Sequence, residues 1–180
     1  KAERWSLLKQ HVDYCNKEQL RFAADCYQRI TDAFLHEEYR PLRHATHQIE
    51  TARKQMKRQR RRDIIGLRRI DNILAVEKNT WYFLANNAVE QMIFSLKRIN
   101  DPCREHIGNN FSPVSGEFAY TFQKLQKQVI DIFHQCENCN SVACVAQTRE
   151  KAEGLQRSLS DYRKQVIDSM QQHTVNIDSS

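Results

Sequence analysis

A long apolar pattern between Thr80 and Asn110 limits the possible folds of this chain more than any other segment. Apolar residues recur there every three or four positions, which places them on one face of a helix. The main positions of that face are Trp81, Leu84, Ala88, Met92, Leu96 and Ile99. Further apolar residues widen the face over most of the circumference, namely Phe83, Ala85, Val89, Ile93 and Cys103. Such a helix must be surrounded by other helices, so the segment predicts the central helix of a bundle.

The composition indicates the same class of fold. Only 4 Gly and 3 Pro occur among 180 residues, which leaves little material for the many tight turns of an all-β protein. Apolar stripes with helical spacing also occur in residues 2–37, 41–69 and 116–136, and from 141 to the end. We therefore predict an all-α fold, an antiparallel bundle of about five long helices that forms a single domain over residues 1–180.

Local signals predict the ends of these helices. Pro41 suits the first turn of the second helix, and Asp71–Asn72 is a plausible turn after it. Asn79–Thr80 is the expected N-cap of the third helix, and Pro102 should kink that helix or restart it. The sequence Gly108–Asn110 predicts a C-terminal stop, because Gly and Asn tolerate left-handed backbone geometry.

Basic residues are concentrated in one part of the second helix. Nine Lys or Arg lie between Arg53 and Arg69, and the segment Lys57–Asp63 contains no apolar residue. We expect that segment to project into solvent or to lie against something acidic, and not to face a core. The predicted contacts to lipid headgroups, phosphate or an acidic partner are Arg53, Lys57, Arg58, Arg60, Arg61 and Arg62. The alternative is a solvated helix face, and no nucleic-acid partner is expected because no aromatic platform accompanies the basic residues.

A group of thiols before the last helix has spacing compatible with zinc. Cys136 and Cys139 form a C-x2-C pair, and His134 and Cys144 could complete a set of four ligands. The alternative is a polar turn that happens to carry cysteines. The 6 Cys of the chain are too sparse for a secreted disulfide framework, so we expect reduced thiols in a cytosolic domain.

Two carboxylates, Asp101 and Glu105, lie four residues apart on one helix face and could share a cation. No Glu-x-x-His motif of a di-iron bundle occurs, and neither does a Gly-rich phosphate loop or a G-x-S-x-G motif. We therefore expect no enzyme activity and no cofactor, with a divalent or iron metal left as an alternative.

The segment EQMIFSLKRINDPCREHIGNN, Glu90–Asn110, resembles the PhoU-like helical domains of bacterial phosphate uptake. It is more closely similar to the cytoplasmic PhoU-like region attached to some inorganic phosphate transporters of the Pit type. The upstream segment Arg60–Met92 fits that same region, and the resemblance covers about residues 40–140. It implies long antiparallel helices built from three-helix units, and metal binding through an acidic E-x-x-x-D motif. At the matching positions Lys97 stands where the family has Glu, and only Asp101 keeps the acidic residue.

The function that this resemblance implies is that of a cytoplasmic regulatory or assembly domain of a cation-coupled inorganic phosphate transporter. The implied partners are a transmembrane phosphate-transport domain of the same chain and the anionic surface of the bacterial inner membrane. A second copy of the chain, in a homodimer, is an alternative partner. No apolar run approaches the roughly 20 residues of a membrane span, so we expect residues 1–180 to be soluble. The sequence has no initiator Met and ends in HTVNIDSS, so we expect it to be a fragment of a longer protein that could carry membrane spans elsewhere. The alternatives are a free-standing PhoU-like metal-binding regulator and a helical adaptor unrelated to phosphate.

Overall fold

The computed structural model describes residues 2–69, 75–114 and 116–178, which form five α-helices and no strand. The helices are α1 (Ala2–Leu35), α2 (Tyr39–Arg68), α3 (Ala75–Gly108), α4 (Gly116–Asn138) and α5 (Val142–Asp178). The prediction of an all-α fold with about five long helices is therefore confirmed. None of these helices, over the described residues, carries an apolar stretch that could cross a bilayer.

The chain divides into two compact units, Lys1–Phe111 and Ser112–Ser180. Helices α1, α2 and α3 pack against one another in the first unit, and α4 packs against α5 in the second. The prediction of one domain over residues 1–180 stays a prediction.

The first unit is a bundle in which successive helices run antiparallel. Gln59 of α2 contacts His11 of α1. At the other end of α2, Thr46 contacts Asn100 of α3. Small and branched apolar side chains fill most of the core, chiefly Ala23, Cys26, Ile30, Leu42, Ala45, Ile49, Ile93 and Leu96. A second cluster of Val12, Leu67 and Tyr82 closes the end of the bundle near the start of α1, under Trp5, Leu8, Ile64 and Trp81. Burial of each large apolar side chain contributes about 1.5–3 kcal/mol.

The buried face of the third helix differs from the face that the sequence predicted. Within the first unit α3 packs against two helices, and its inner face is shifted by about one position from the predicted face. Leu84 is 66% exposed, whereas Tyr82 and Asn100, which lie on the inner side of α3, are 2% and 1% exposed. The prediction was wrong because it ranked side chains by apolarity, while buried polar side chains on α3 find hydrogen-bond partners on α2.

Only some of the helices begin and end where the local sequence signals predicted. Pro41 lies in the first turn of α2, where its missing N–H is not needed. The N-cap predicted at Asn79–Thr80 is wrong, since α3 already begins at Ala75. Helix α3 also continues through Pro102 without restarting. The predicted turn at Asp71–Asn72 lies outside the described residues.

The stop predicted at the end of α3 is confirmed. Asn110 adopts a left-handed conformation with φ of 54°. The N–H of Asn110 donates to the carbonyl of Ile107 over 3.1 Å, and the N–H of Phe111 donates to the carbonyl of His106 over 3.1 Å. These two bonds satisfy carbonyls that the helix end would otherwise leave free, which is the Schellman arrangement.

The second unit is an antiparallel pair of helices. The hydroxyl of Tyr162 on α5 donates to the carbonyl of Phe118 at the start of α4 over 3.1 Å. Leu125 and Gln126 of α4 and Thr148 of α5 are buried. Several apolar side chains of α5 are exposed within this unit, namely Val142, Val145, Leu159, Ile167 and Met170.

Candidate functional site

The basic side chains of α2 do not form one face. Arg53, Lys57, Arg60 and Arg61 line a groove on the side of α2 that contacts α3. Arg58 and Arg62 instead line a separate cavity between α1, α2 and α3. The separation follows from the helical repeat of 3.6 residues, which turns neighbouring positions by about 100°. Of the six basic residues predicted to contact an anion, four therefore line the groove and two line the cavity.

The groove between α2 and α3 combines cationic walls with an apolar floor, and its volume is about 640 Å³. The guanidinium of Arg53 lies 5.5 Å from the ring centroid of Phe94. That of Arg60 lies 5.8 Å from the ring centroid of Phe83 and 3.3 Å from Oε1 of Glu90. Cation–π contacts of this kind hold the flat face of a guanidinium against an aromatic ring. The edge of a guanidinium held in this way can still donate to an anion.

The charge of the groove is only partly neutralised. Glu90 pairs with Arg60, and it is the one acidic residue that lines the groove in the described part of the chain. Arg53, Lys57 and Arg61 are exposed and form no ion pair among the described residues. Three cations beside an apolar floor can attract phosphate-bearing groups by charge, and Arg can also bind them bidentately.

One end of the basic segment faces the core, contrary to the prediction for Lys57–Asp63. Asp63 is 5% exposed, and its Oδ2 accepts a 3.0 Å hydrogen bond from the hydroxyl of Tyr82. Its Oδ1 accepts a 2.9 Å hydrogen bond from Nε2 of Gln59. Burial, and then the charge of Asp63, raise the pKa of Tyr82 above its usual range. The missed signal was spacing, because Asp63 continues the stripe of buried residues between Met56 and Leu67.

A thiol and an imidazole lie next to this buried carboxylate. Cys15 Sγ is 3.7 Å from Nε2 of His11, and the same nitrogen is 2.8 Å from Nε2 of Gln59. Burial raises the pKa of the Cys15 thiol, and the charge of Asp63 raises it further. The geometry resembles a nucleophile beside a base, but the raised pKa favours the protonated thiol, which is a poor nucleophile. The sequence expectation of no enzyme activity stays a prediction.

In the predicted metal motif on α3, Asp101 forms an ion pair with Lys97 of the same motif. Nζ of Lys97 lies 3.4 Å from Oδ2 of Asp101, and both side chains are about half exposed. Glu105 lies one turn further along α3 and is exposed. A protonated ammonium donates hydrogen bonds and cannot ligate a cation. In the part of the chain that the structure describes, no three His, Cys, Asp or Glu side chains are grouped closely enough to hold a metal ion.

The cysteines at the end of α4, in the turn after it and at the start of α5 are not the ligand set that their spacing suggested. Cys139 and Cys144 are joined by a disulfide bond, so neither sulfur is a free thiolate. Cys136 is free and exposed, and Nδ1 of His134 lies 4.0 Å from Oε2 of Glu137. The expectation of reduced thiols was wrong for this pair, because the turn between the helices brings two cysteines together that the sequence spacing alone did not pair.

Comparison of the chain with models of protein families, with curated proteins and with solved structures finds no match to any of them.

Proposed function

We propose that this chain is a non-catalytic, PhoU-like regulatory or assembly domain on the cytoplasmic side of a bacterial inorganic phosphate transporter. Transport itself would be carried out, with a coupling cation, by a transmembrane domain of the same protein. The resemblance of residues 40–140 to such regions and the three-helix architecture of the first unit both support this proposal. In this role the domain acts by docking, through helix surfaces and not through a reaction.

The observation that carries the proposal is the groove between α2 and α3. Arg53, Lys57 and Arg61 line it and form no ion pair among the described residues, and apolar side chains line it as well. This chemistry suits a surface that presents phosphate groups above apolar chains, as an anionic membrane leaflet does. Each Lys or Arg near such a surface contributes about 1 kcal/mol, and that contribution falls off within a Debye length.

The pairing of Lys97 with Asp101 favours this role over that of a free-standing metal-binding regulator. A cation at Asp101 would have to displace the ammonium of Lys97. Of the two predicted metal ligands on α3, that leaves only Glu105 without a lysine beside it. Docking by charge requires no metal, whereas the alternative depends on one. Metal analysis of the purified protein tests this point, and a stoichiometric metal would favour the alternative.

Vesicle flotation with two matched double variants tests the groove. Lys57→Ala/Arg61→Ala removes two exposed charges from the groove. Arg58→Ala/Arg62→Ala removes two exposed charges one position further along the same helix, in the wall of the separate cavity between α1, α2 and α3. We expect the first variant to weaken binding to phosphatidylglycerol vesicles by about tenfold or more, and the second to weaken it much less. Equal losses would show attraction by net charge alone and would remove the groove from the proposal.

The link to a transporter has a separate test. The coding sequence on both sides of residues 1–180 should contain several apolar segments of about 20 residues, enough for a multi-span domain. Phosphate uptake by cells that carry the full-length gene should then change when Lys57 and Arg61 are replaced by Ala. A gene without such segments would contradict the transporter proposal, while the vesicle experiment would still decide whether the groove binds anions.

A further inference from the structure

The second unit, Ser112–Ser180, leaves much of its apolar surface uncovered. It consists of the helix pair α4 and α5, and Leu125 is the one apolar side chain among its described residues that is buried. Two helices touch along a single line, so each covers only part of the apolar stripe of the other. Large apolar side chains of both helices therefore remain half-buried or exposed, among them Ile130 and Phe133 on α4 and Val145, Leu159 and Ile167 on α5.

These five side chains lie on one side of the helix pair, which we call the open face. Each residue turns a helix by about 100°, so Val145 and Ile167 lie about 60° and 100° around α5 from the buried Thr148. Phe133 lies about 80° around α4 from the buried Leu125, in the same rotational sense. The two helices run antiparallel, and equal rotations about antiparallel helices lead to the same side of the pair. The open face therefore spans both helices.

The charge of the second unit does not oppose contact between two copies. Residues 112–180 contain 7 Lys or Arg and 8 Asp or Glu, a net charge of −1. Residues 1–111 contain 21 Lys or Arg and 14 Asp or Glu, a net charge of +7. A nearly neutral surface favours self-association, whereas an anionic membrane is attracted to the first unit and not to the second. The helical spacing also places Arg149 and Arg163 on the open face, and Arg is enriched in protein interfaces.

The open face is large enough for a stable dimer. Helix α4 has 23 residues and is therefore about 35 Å long. Two packed helices, each about 10 Å in diameter, present a face about 20 Å wide. This face covers about 700 Å² on each copy, so two copies would bury about 1,400 Å², within the roughly 1,200–2,000 Å² of stable interfaces.

We propose that the open face binds the open face of a second copy of this chain, which makes a four-helix bundle from two helix pairs. A closed two-fold dimer uses the same patch of both subunits and is the commonest form of soluble oligomer. The apolar side chains of the two pairs then form one core between four helices. The inference goes beyond the proposed docking role and does not rest on it, because every residue that lines the groove between α2 and α3 belongs to the first unit.

Sedimentation velocity of the full chain, over a hundredfold range of micromolar concentrations, tests the proposal. The monomer has a mass of 21.3 kDa, so we expect a species of about 43 kDa whose share increases with concentration. Denaturing electrophoresis without reductant checks that this species is not held together by a disulfide through the exposed Cys136.

Two matched double variants locate the interface. Val145→Glu/Ile167→Glu adds two charges to the open face, at positions that are 50% and 41% exposed. Gln147→Glu/Gln165→Glu adds the same charge at exposed positions two residues away, which lie on the opposite side of α5 because two residues turn a helix by about 200°. We expect the first variant to weaken dimerisation at least tenfold, since an unpaired charge is costly to bury, and the second to leave it unchanged.

All four positions are exposed, so both variants should keep the helix content of the wild type, which circular dichroism checks. If Val145→Glu/Ile167→Glu loses helix content, Val145→Gln/Ile167→Gln takes its place, because Gln still cannot replace the apolar contacts of the interface.

Three results would overturn the proposal. If the wild-type chain is a monomer at every concentration, the open face does not bind a second copy. If the 43 kDa species disappears on denaturing electrophoresis only after reduction, a disulfide and not the open face holds the two copies together. If the two double variants dimerise equally well, the copies meet through another surface. None of these results bears on the vesicle experiment, which tests the groove of the first unit separately.

Discussion

The hydroxyl of Tyr82 on α3 donates a 3.0 Å hydrogen bond to Oδ2 of Asp63 on α2, and the two residues are only 2% and 5% exposed. A buried carboxylate is costly unless hydrogen bonds replace its lost hydration. Here Tyr82 supplies one such bond and Gln59 supplies another. The contact joins α2 to α3 in a stretch where α2 carries few apolar side chains. A buried polar pair therefore holds the two helices together there, whereas apolar packing holds them together elsewhere in the unit.

Tyr82→Phe should therefore destabilise the protein. The substitution keeps the ring but leaves Oδ2 of Asp63 without its donor, and loss of a hydrogen bond to a charged group costs about 1.5–3 kcal/mol. Urea unfolding followed by circular dichroism measures this loss. Tyr120→Phe is the matched control, because Tyr120 is 70% exposed, and it should change the free energy of unfolding by less than about 0.5 kcal/mol. Equal effects of the two substitutions would contradict the role given to Tyr82.

Stability should fall at alkaline pH. Burial raises the pKa of Cys26 to about 11 and that of Cys103 to about 11. In the unfolded chain a thiol titrates near 8.5, so above about pH 9 the unfolded state binds fewer protons than the folded state. The free energy of unfolding therefore decreases as the pH rises from about 9 through 11. Burial likewise raises the pKa of Tyr27 to about 12, which extends the decrease upward.

The thiol contribution to this decrease can be isolated with Cys26→Ala/Cys103→Ala. This variant should start from a lower stability, because Cys26 is buried in the core and Cys103 is half-buried, and both substitutions remove packing. Its stability should nevertheless fall less steeply than that of the wild type between pH 9 and about 11, as measured by urea unfolding at several pH values. Parallel curves for the two proteins would show that the thiols do not contribute.

Glu37→Gly should stabilise the first unit. Glu37 follows α1 with a φ of 56°, a left-handed conformation that costs an ordinary residue about 1 kcal/mol and costs Gly nothing. The conformation is needed because the N–H of Glu38 donates to the carbonyl of Ala33 over 2.8 Å. We expect a gain of about 1 kcal/mol in thermal or urea unfolding. The neighbouring change Glu38→Gly, at a φ of −93°, should give no gain, and a gain of equal size would contradict this reasoning.

Reduction of the Cys139–Cys144 disulfide should loosen the second unit. The bond closes a loop of sequence separation 5. A loop of that size lowers the conformational entropy of the unfolded chain, which stabilises the folded state by about 2 kcal/mol. Hydrogen exchange followed by mass spectrometry should therefore show faster exchange in peptides of α4 and α5 after reduction, or in Cys139→Ser. Cys136→Ser is the control, since Cys136 is free in the structure. Unchanged exchange in the reduced protein would contradict a stabilising role for the bond.

The sequence by itself determined the features that depend on neighbouring residues. The scarcity of Gly and Pro and the helical spacing of apolar side chains predicted five helices. Gly108–Asn110 predicted the end of α3, because a left-handed cap needs only the residues beside it. The concentration of positive charge on the second helix could also be predicted without a structure.

Only the tertiary structure decided which helix face is buried and which charged groups meet. Tyr82 and Asn100 face inward on α3 because they find partners on α2 that lie 19 and 58 positions away in the sequence. The same packing assigns Arg58 and Lys57 to different sides of α2 and joins Cys139 to Cys144. These outcomes depend on contacts between helices, and the spacing of residues along one helix carries no information about its neighbours.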